Sequence, residues 1–350
     1  MMTLRQFDAG IESVPATTSW YLADLGESRG RQDLFTAQSP QILQVLREHA
    51  LIESAVSSNR IEGVEIEPNR IGTVVFGSRL LKDRAEENIR GYRDALKIIH
   101  EDANHLDVSE RTLQKLHRLC SGEIWDSGRY KERDGDIIQK YADGRQRVRF
   151  KTVRASETPK FMEQLILLWQ DSIRQRTVHP LVALAAFNLD FLCIHPFRDG
   201  NGRVSRLVML LQLYQEGYEV GRYISLERLI EQNKDRYYET LEESSQGWHE
   251  GKHNPWPYVS YLLFILKSAY KEFEERVGRT ESPKGAKAED VLRAIQKQTG
   301  QFRIGEIERA CPGVGREWIR RILADLKKRG QVSVEGRGPA ARWRYLRAGE

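Results

Sequence analysis

Cysteine is sparse in this 350-residue chain. Cys120, Cys193 and Cys311 are odd in number, far apart and not set in pairs with zinc-ligand spacing, which excludes a disulfide framework and a structural zinc and leaves all three as packing residues. Long apolar runs are missing too. The most apolar stretch, residues 181–194, has 14 residues and is interrupted by Asn188 and Asp190, too short and too polar to cross a bilayer. The N-terminal MMTLRQFDAGIESVPATTSW has no basic segment followed by an apolar run, so no secretory signal is read, no membrane partner is expected, and the expected compartment is the cytoplasm. There is no GxxxxGK[ST] and no HExxH, and a GxGxxG beginning at Gly200 would need glycine where Ser205 stands. P-loop, zincin and Rossmann chemistries are therefore set aside. Internal repeats and long low-complexity tracts are also lacking.

What is present is an ordinary globular composition, 40% hydrophobic and 30% charged, with enough length for two or three folded units. The net charge of +5 is unevenly placed. Residues 284–350 hold 16 Lys/Arg against 8 Asp/Glu, a net +8, while residues 1–283 hold 39 against 42, a net −3. Such asymmetry points to a module facing an anionic partner, appended to a near-neutral body.

Apolar periodicity predicts helices over Ser39–Ile61, Ala85–Glu101, Ser109–Ser121, Thr158–Arg174, Pro180–Ile194, Gly202–Gln215, Asn233–Ser245 and Trp256–Val277, so the body is expected to be mainly α. Between two of these lies Ile137–Val153, where Asp143-Gly144 separates short alternating runs and predicts a β-hairpin. Gly278–Asp290 mixes Gly, Pro, Ser and charge without apolar periodicity and reads as a linker. After it come helical patterns at Ala288–Gln298, Ile304–Ala310 and Arg316–Arg329, then two strand-like runs within Val332–Leu346, the order of a helix-turn-helix with a wing. In the third helix Trp318, Ile319, Ile322, Leu323 and Leu326 form one apolar stripe, leaving Arg316, Arg320, Lys327 and Lys328 facing solvent and available to phosphates. Winged helices also dock proteins, so DNA contact through residues 291–350 and protein docking both stay open.

The chemistry concentrates in His195-Pro196-Phe197-Arg198-Asp199-Gly200-Asn201-Gly202-Arg203-Val204-Ser205-Arg206. One apolar helix runs into this segment and another runs out. Gly200 and Gly202 flank Asn201 at a helix start, where small residues let backbone N–H groups converge on an anion. Arg203 and Arg206, three apart, are expected on one helix face with planar forks for two phosphates. Asp199 is a candidate ligand for the Mg²⁺ that accompanies a polyphosphate. His195 is a candidate base near neutral pH. His49, His100, His105, His117, His179, His249 and His253 have no partner pattern and receive no role.

This segment matches HPFx[DE]GNGRxxR at every specified position, and the chain resembles the Fic family over residues from about 35 to 275. The resemblance implies a mainly α, Fic-type helical bundle with a hairpin flap that pairs with an extended target segment. It implies a protein adenylyltransferase using ATP and Mg²⁺. In that reading His195 deprotonates a Tyr, Thr or Ser hydroxyl, Asp199 holds the metal, and Gly200, Asn201, Gly202, Arg203 and Arg206 grip the phosphates. Ser58-Asn59-Arg60-Ile61-Glu62-Gly63 resembles the family's inhibitory signature [ST]xxxE[GN], which implies that Glu62 restrains the site. Tyr238, and less so Tyr237, falls where relatives place an adenine contact. The expected organisation is an N-terminal helical region (1–100, inhibitory helix about 39–62), a catalytic domain (101–277), a linker (278–290) and a winged helix (291–350). Expected partners are a target protein with an accessible hydroxyl, the chain itself through auto-modification, a second copy as a homodimer, and DNA at the tail. Two other readings remain: removal of AMP by the same pocket, and a nucleotide-responsive DNA-binding regulator.

Overall fold

Pro180–Ile194 is apolar on every side, and a helix of that kind must be buried all round. In the computed structural model every residue from Leu181 to Ile194 is buried, and the helix sits at the centre of the larger of two compact units, Met1–Val277 and Gly278–Glu350. The structure describes residues 2–11, 13–36, 40–77, 81–122, 124–140, 144–278, 286–296, 300–311, 314–336 and 341–346. Ser39, Asp143 and residues 279–285, 297–298, 312–313 and 337–339 lie outside them.

The first unit runs α1 (Thr3–Asp8), α2 (Ala16–Thr36), α3 (Pro40–Ile61), α4 (Ile71–Phe76), α5 (Arg84–Asp102), α6 (Glu110–Ser121), β1 (Ile137–Lys140), β2 (Gln146–Phe150), α7 (Thr158–Gln175), α8 (Pro180–Ile194), α9 (Asn201–Gln215), α10 (Leu226–Gln232), α11 (Lys234–Ser245) and α12 (Trp256–Gly278). β1 and β2 pair antiparallel, with Ile138 opposite Val148. The fold is thus mainly helical, as the periodicity implies. Helices α1, α2, α4 and α10 are additions to that expectation. In α2 the periodicity misleads, because Trp20 and Leu34 are exposed while, among the described residues, Leu25 and Thr18 alone are deeply buried.

Helix α8 starts with His179 as N-cap, its ring nitrogen accepting from the Leu181 N–H at 3.2 Å, and with Pro180 at the first position, where a missing N–H costs nothing. It packs on α7 and α9, and α9 packs on α6. Asp190, fully buried on α8, accepts from the Thr3 and Leu4 N–H groups (2.8 and 3.1 Å), the Thr3 hydroxyl (2.7 Å) and the Trp248 indole (2.7 Å), which pins α1 to the core. A buried carboxylate with four donors is tolerable where an unpaired one is not.

The second unit contains α13 (Ala286–Gln296), α14 (Ile304–Ala310), α15 (Arg316–Lys328), β3 (Val332–Glu335) and β4 (Arg342–Tyr345), the strands forming an antiparallel pair. Its core includes Val291, Ile295, Phe302, Ile307, Ile319, Leu323 and Leu326. Two expectations are corrected. Helix α13 begins at Ala286, inside the expected linker 278–290. Trp318 is 45% exposed rather than part of the apolar stripe, since it lies at the edge of the face set by Ile319, Leu323 and Leu326.

Candidate active site

Helix α8 ends at His195, a non-glycine residue in the left-handed region at φ 54°. Such a conformation costs roughly 1–2 kcal/mol and persists where the surroundings impose it. Five residues on, Gly200 (φ 77°) turns the chain into α9, a conformation natural to glycine. The intervening loop is stapled by Asn201, whose amide accepts from the Phe197 N–H (2.9 Å) and donates to the Phe197 carbonyl (2.7 Å). The Asn201 side chain is thus engaged in shaping the turn, and its neighbour Gly202 faces the cavity. His195, Gly202, Glu62, Tyr237 and Tyr238 line one cavity of about 400 Å³, with Ile137 and Ile138 of the hairpin on its wall.

Nδ1 of His195 donates to the Leu192 carbonyl at 3.3 Å, which leaves Nε2 as the acceptor. Burial, helped by the nearby Lys131 ammonium, pushes the imidazole down to about 4, so at neutral pH it is an uncharged base.

Arg203 and Arg206 leave the same helix but reach different elements. Arg203 donates from Nη1 to the Cys120 carbonyl on α6 (2.8 Å), with Nη2 3.5 Å from Asp199. Arg206 turns to α3, donating from Nε to the Ser58 hydroxyl (2.9 Å) and from Nη2 to the Ser58 carbonyl and to Glu62 Oε1, both at 2.8 Å. Burial alone would lower the Arg206 pKa, but attraction by Glu62, Tyr237 and Tyr92 outweighs it and raises it. Arg203 Nε and Arg206 Nη1 are buried without a hydrogen-bond partner among the described residues. An orphaned buried donor costs about 1–3 kcal/mol, and two of them beside a helix N-terminus suit phosphate oxygens.

Glu62 follows the last residue of α3 and sits against the start of α9. A Cβ at position 202 would come within 2.2 Å of Glu62 Oε1 and 3.1 Å of Arg206 Nη1, so a larger residue there would displace the carboxylate from this position. Glu62 therefore occupies the place at the N-terminus of α9 that an anionic ligand would take.

The hairpin is fastened to α11. Glu242 accepts from Arg147 (2.9 Å) and Arg149 (2.8 Å) of β2, and Arg149 also donates to the Tyr238 carbonyl (2.8 Å). The Arg149 guanidinium lies 5.3 Å from the Tyr238 ring centroid, a cation–π distance. The Tyr238 hydroxyl donates to the Ile61 carbonyl at 3.2 Å, next to Glu62. Tyr237 is buried, packed among Tyr258 and Tyr261.

Asp199 Oδ1 accepts from the Gly200 N–H (2.7 Å), and Oδ2 lies 3.5 Å from both Arg84 and Arg203. Its side chain is 58% exposed. Among the described residues no three His, Cys, Asp or Glu side chains form a metal cluster. One accessible carboxylate beside the Gly200–Arg203 turn fits Mg²⁺, which is commonly held by one or two carboxylates together with substrate phosphates.

His117, given no role from sequence, stacks on Phe197 at 3.9 Å, donates through Nε2 to the Asp199 carbonyl (3.0 Å) and accepts at Nδ1 from the Gly128 N–H (2.8 Å). Burial lowers it to about 4, so it braces the loop as a neutral ring. Phe197 and Asp199 lie far from it in sequence, and no spacing rule could have found them.

Residues 107–213 match the Fic/DOC family model. The chain is 34% identical to the protein adenylyltransferase Fic of Drosophila melanogaster across 38% of its own length and 29% of that protein's, and identical figures hold for the Drosophila simulans protein. It therefore spans less than a third of the length of these curated relatives. Among solved structures, a Fic family protein from Desulfovibrio desulfuricans aligns over 97% of this chain and 98% of its own with a TM-score of 0.61 at 24% identity. A Fic domain containing signaling protein from Bacteroides thetaiotaomicron aligns over 73% and 97%, with a TM-score of 0.62 at 20% identity. The architecture is that of the Fic fold. No helix among the described residues is long and apolar enough to cross a membrane.

Proposed function

We propose that the chain transfers AMP from ATP to a Tyr, Thr or Ser hydroxyl of a protein, itself included, and that Glu62 restrains the reaction. The observation that carries this reading is the Glu62 carboxylate, paired with Arg206 at 2.8 Å and seated at the N-terminus of α9. In the proposed reaction the target hydroxyl oxygen attacks the α-phosphorus, the bond to the oxygen bridging the α- and β-phosphates breaks, and pyrophosphate leaves. The hydroxyl proton passes to His195 Nε2. Arg206, Arg203 and the Gly200–Arg203 turn hold the phosphates, and Tyr238 borders the space for adenine. Mg²⁺ held by Asp199 would supply charge neutralisation at the phosphates. The protein contributes position, electrostatics and one base, with no covalent enzyme intermediate. The hairpin edge offers backbone groups to an extended target segment.

Incubation with α-labelled ATP and Mg²⁺ tests the reading. Label is expected on protein, and none from γ-labelled ATP; label arriving from the γ position instead would replace it with a kinase-like reaction. Removal of AMP by the same pocket would appear as AMP released from pre-modified protein.

A second activity is proposed for residues 291–350. Arg316, Arg320, Arg321, Lys327 and Lys328 of α15 and Arg342 and Arg344 of β4 are all exposed, on the same unit as exposed Trp318. This basic surface supports contact with duplex DNA, to be tested by the salt dependence of binding.

A further inference from the structure

In the charged stretch Tyr130-Lys131-Glu132-Arg133-Asp134, Glu132, Arg133 and Asp134 are exposed. Lys131 is not. It retains 8% exposure, and its ammonium donates to the Thr152 hydroxyl (2.8 Å) and the Ile194 carbonyl (3.1 Å). Burying an ammonium is expensive, and neutral oxygens repay less of that cost than a carboxylate would. A lysine placed this way is a poor device for stability alone, which raises the question of what it holds.

The Lys131 backbone N–H donates to the Pro196 carbonyl at 2.8 Å. One residue therefore grips the carbonyls of Ile194 and Pro196, the two residues that bracket His195. His195 is the non-glycine residue at φ 54° whose strained backbone aims the imidazole into the cavity. The same ammonium reaches the foot of the hairpin. Thr152 accepts from Lys131 and donates to the Gly135 carbonyl at 2.5 Å, tying the stretch before β1 to the stretch after β2. We propose that Lys131 is a positioning residue that fixes the peptide groups around His195 and couples them to the base of the 137–150 hairpin. Lys131 acts through His195 and Thr152 and is not among the residues lining the cavity.

The proposal rests on the reading of His195 as the base, and its test is arranged so that the two can fail separately. All variants are made on Glu62→Gly protein. In Lys131→Met the kcat for AMP transfer is expected to fall at least about tenfold, because misplacing a reacting group by about an ångström is costly, while the KM for ATP stays within about twofold. Hydrogen exchange at the amides of residues 150–153, His195 and Phe197 should accelerate at least about tenfold, the signature of lost local protection. Lys131→Arg keeps the donors and should recover kcat to within about threefold of the parent. Thr152→Val cuts only the hairpin side: exchange should rise at 150–153 but not at His195 or Phe197, and the KM for a protein target should rise with kcat retained.

The proposal is overturned if Lys131→Met keeps kcat within about twofold of the parent, or if it loses kcat and ATP affinity together without rescue by arginine. If the methionine variant does not fold, the other two variants decide, and unchanged exchange at 150–153 in Thr152→Val refutes the coupling. A Glu62→Gly parent that transfers no AMP refutes the transferase reading instead, while the exchange measurements still judge the clamp without substrate.

Discussion

The two compact units bury different kinds of residue. The second unit encloses an apolar core and keeps its described basic residues outside, with Arg316, Arg320, Lys327 and Lys328 all exposed. The first unit carries Arg203, Arg206, Asp190, His117, Glu227 and Lys131 into its interior. Interior charge is tolerated only with specific partners, and around the cavity those partners converge on His195, the Gly200 turn and Glu62. Charge kept outside acts at long range on an anionic surface, whereas charge kept inside shapes a site for chemistry.

The largest expected effect separates the two roles. His195→Ala should lower AMP transfer by about 10²–10⁴-fold, the usual worth of a general base, while leaving duplex affinity unchanged. Arg316→Glu combined with Lys327→Glu should do the reverse, reducing the salt slope of duplex binding by about two with transfer intact. Loss of both properties in either variant, checked by labelling and by titration across salt concentrations, would break the comparison.

Next is the response to acid. Burial lowers His100 to about 3 and His117, His195 and His253 to about 4, from an ordinary 6.5. A folded-state pKa depressed in this way gives stability that is present above 6.5 and is lost as pH falls toward about 4. Asp190 runs the other way. Burial raises it to about 6 from 3.8, so its contribution is complete below 3.8 and is lost as pH rises through about 6, offsetting one of four histidines. Residues 278–350 contain no histidine. Calorimetry between pH 7 and pH 4.5 should show the Tm of the first unit falling by at least about 5 °C, given about 2–4 °C per kcal/mol in a unit of this size. The second unit should move less. Parallel decline of both transitions would contradict the difference in burial.

The legibility of the chain followed the range of its interactions. Helix α8 was readable because Pro180 starts it locally and an apolar run, interrupted by Asn188 and Asp190, fills it. The hairpin was readable from alternation around a turn pair. Helix α2 was not, since its apolar residues Trp20 and Leu34 are exposed and no single face marks the core side. Residues of the HPFRDGNGRVSR segment announce phosphate chemistry together because they are contiguous. The divergence of Arg203 toward Cys120 and Arg206 toward Ser58 depends on α6 and α3, far away in sequence. His117 and Lys131 were illegible for the same reason: one looks like a helix histidine and the other like a solvated lysine until Asp199, Ile194 and Pro196 are brought beside them.

The smallest expected effect bears most directly on the central claim, that Glu62 holds the site of the first unit in restraint through Arg206. ATP affinity and the rate of AMP transfer should be measured side by side for the parent and Glu62→Gly. If the carboxylate competes with a phosphate for Arg206 and turns the α-phosphate out of line, Glu62→Gly raises transfer at least about tenfold, equivalent to about 1.4 kcal/mol of barrier, while ATP affinity changes less. A Glu62→Gly protein no faster than the parent, or one whose gain in rate is matched by an equal gain in ATP affinity, would contradict it.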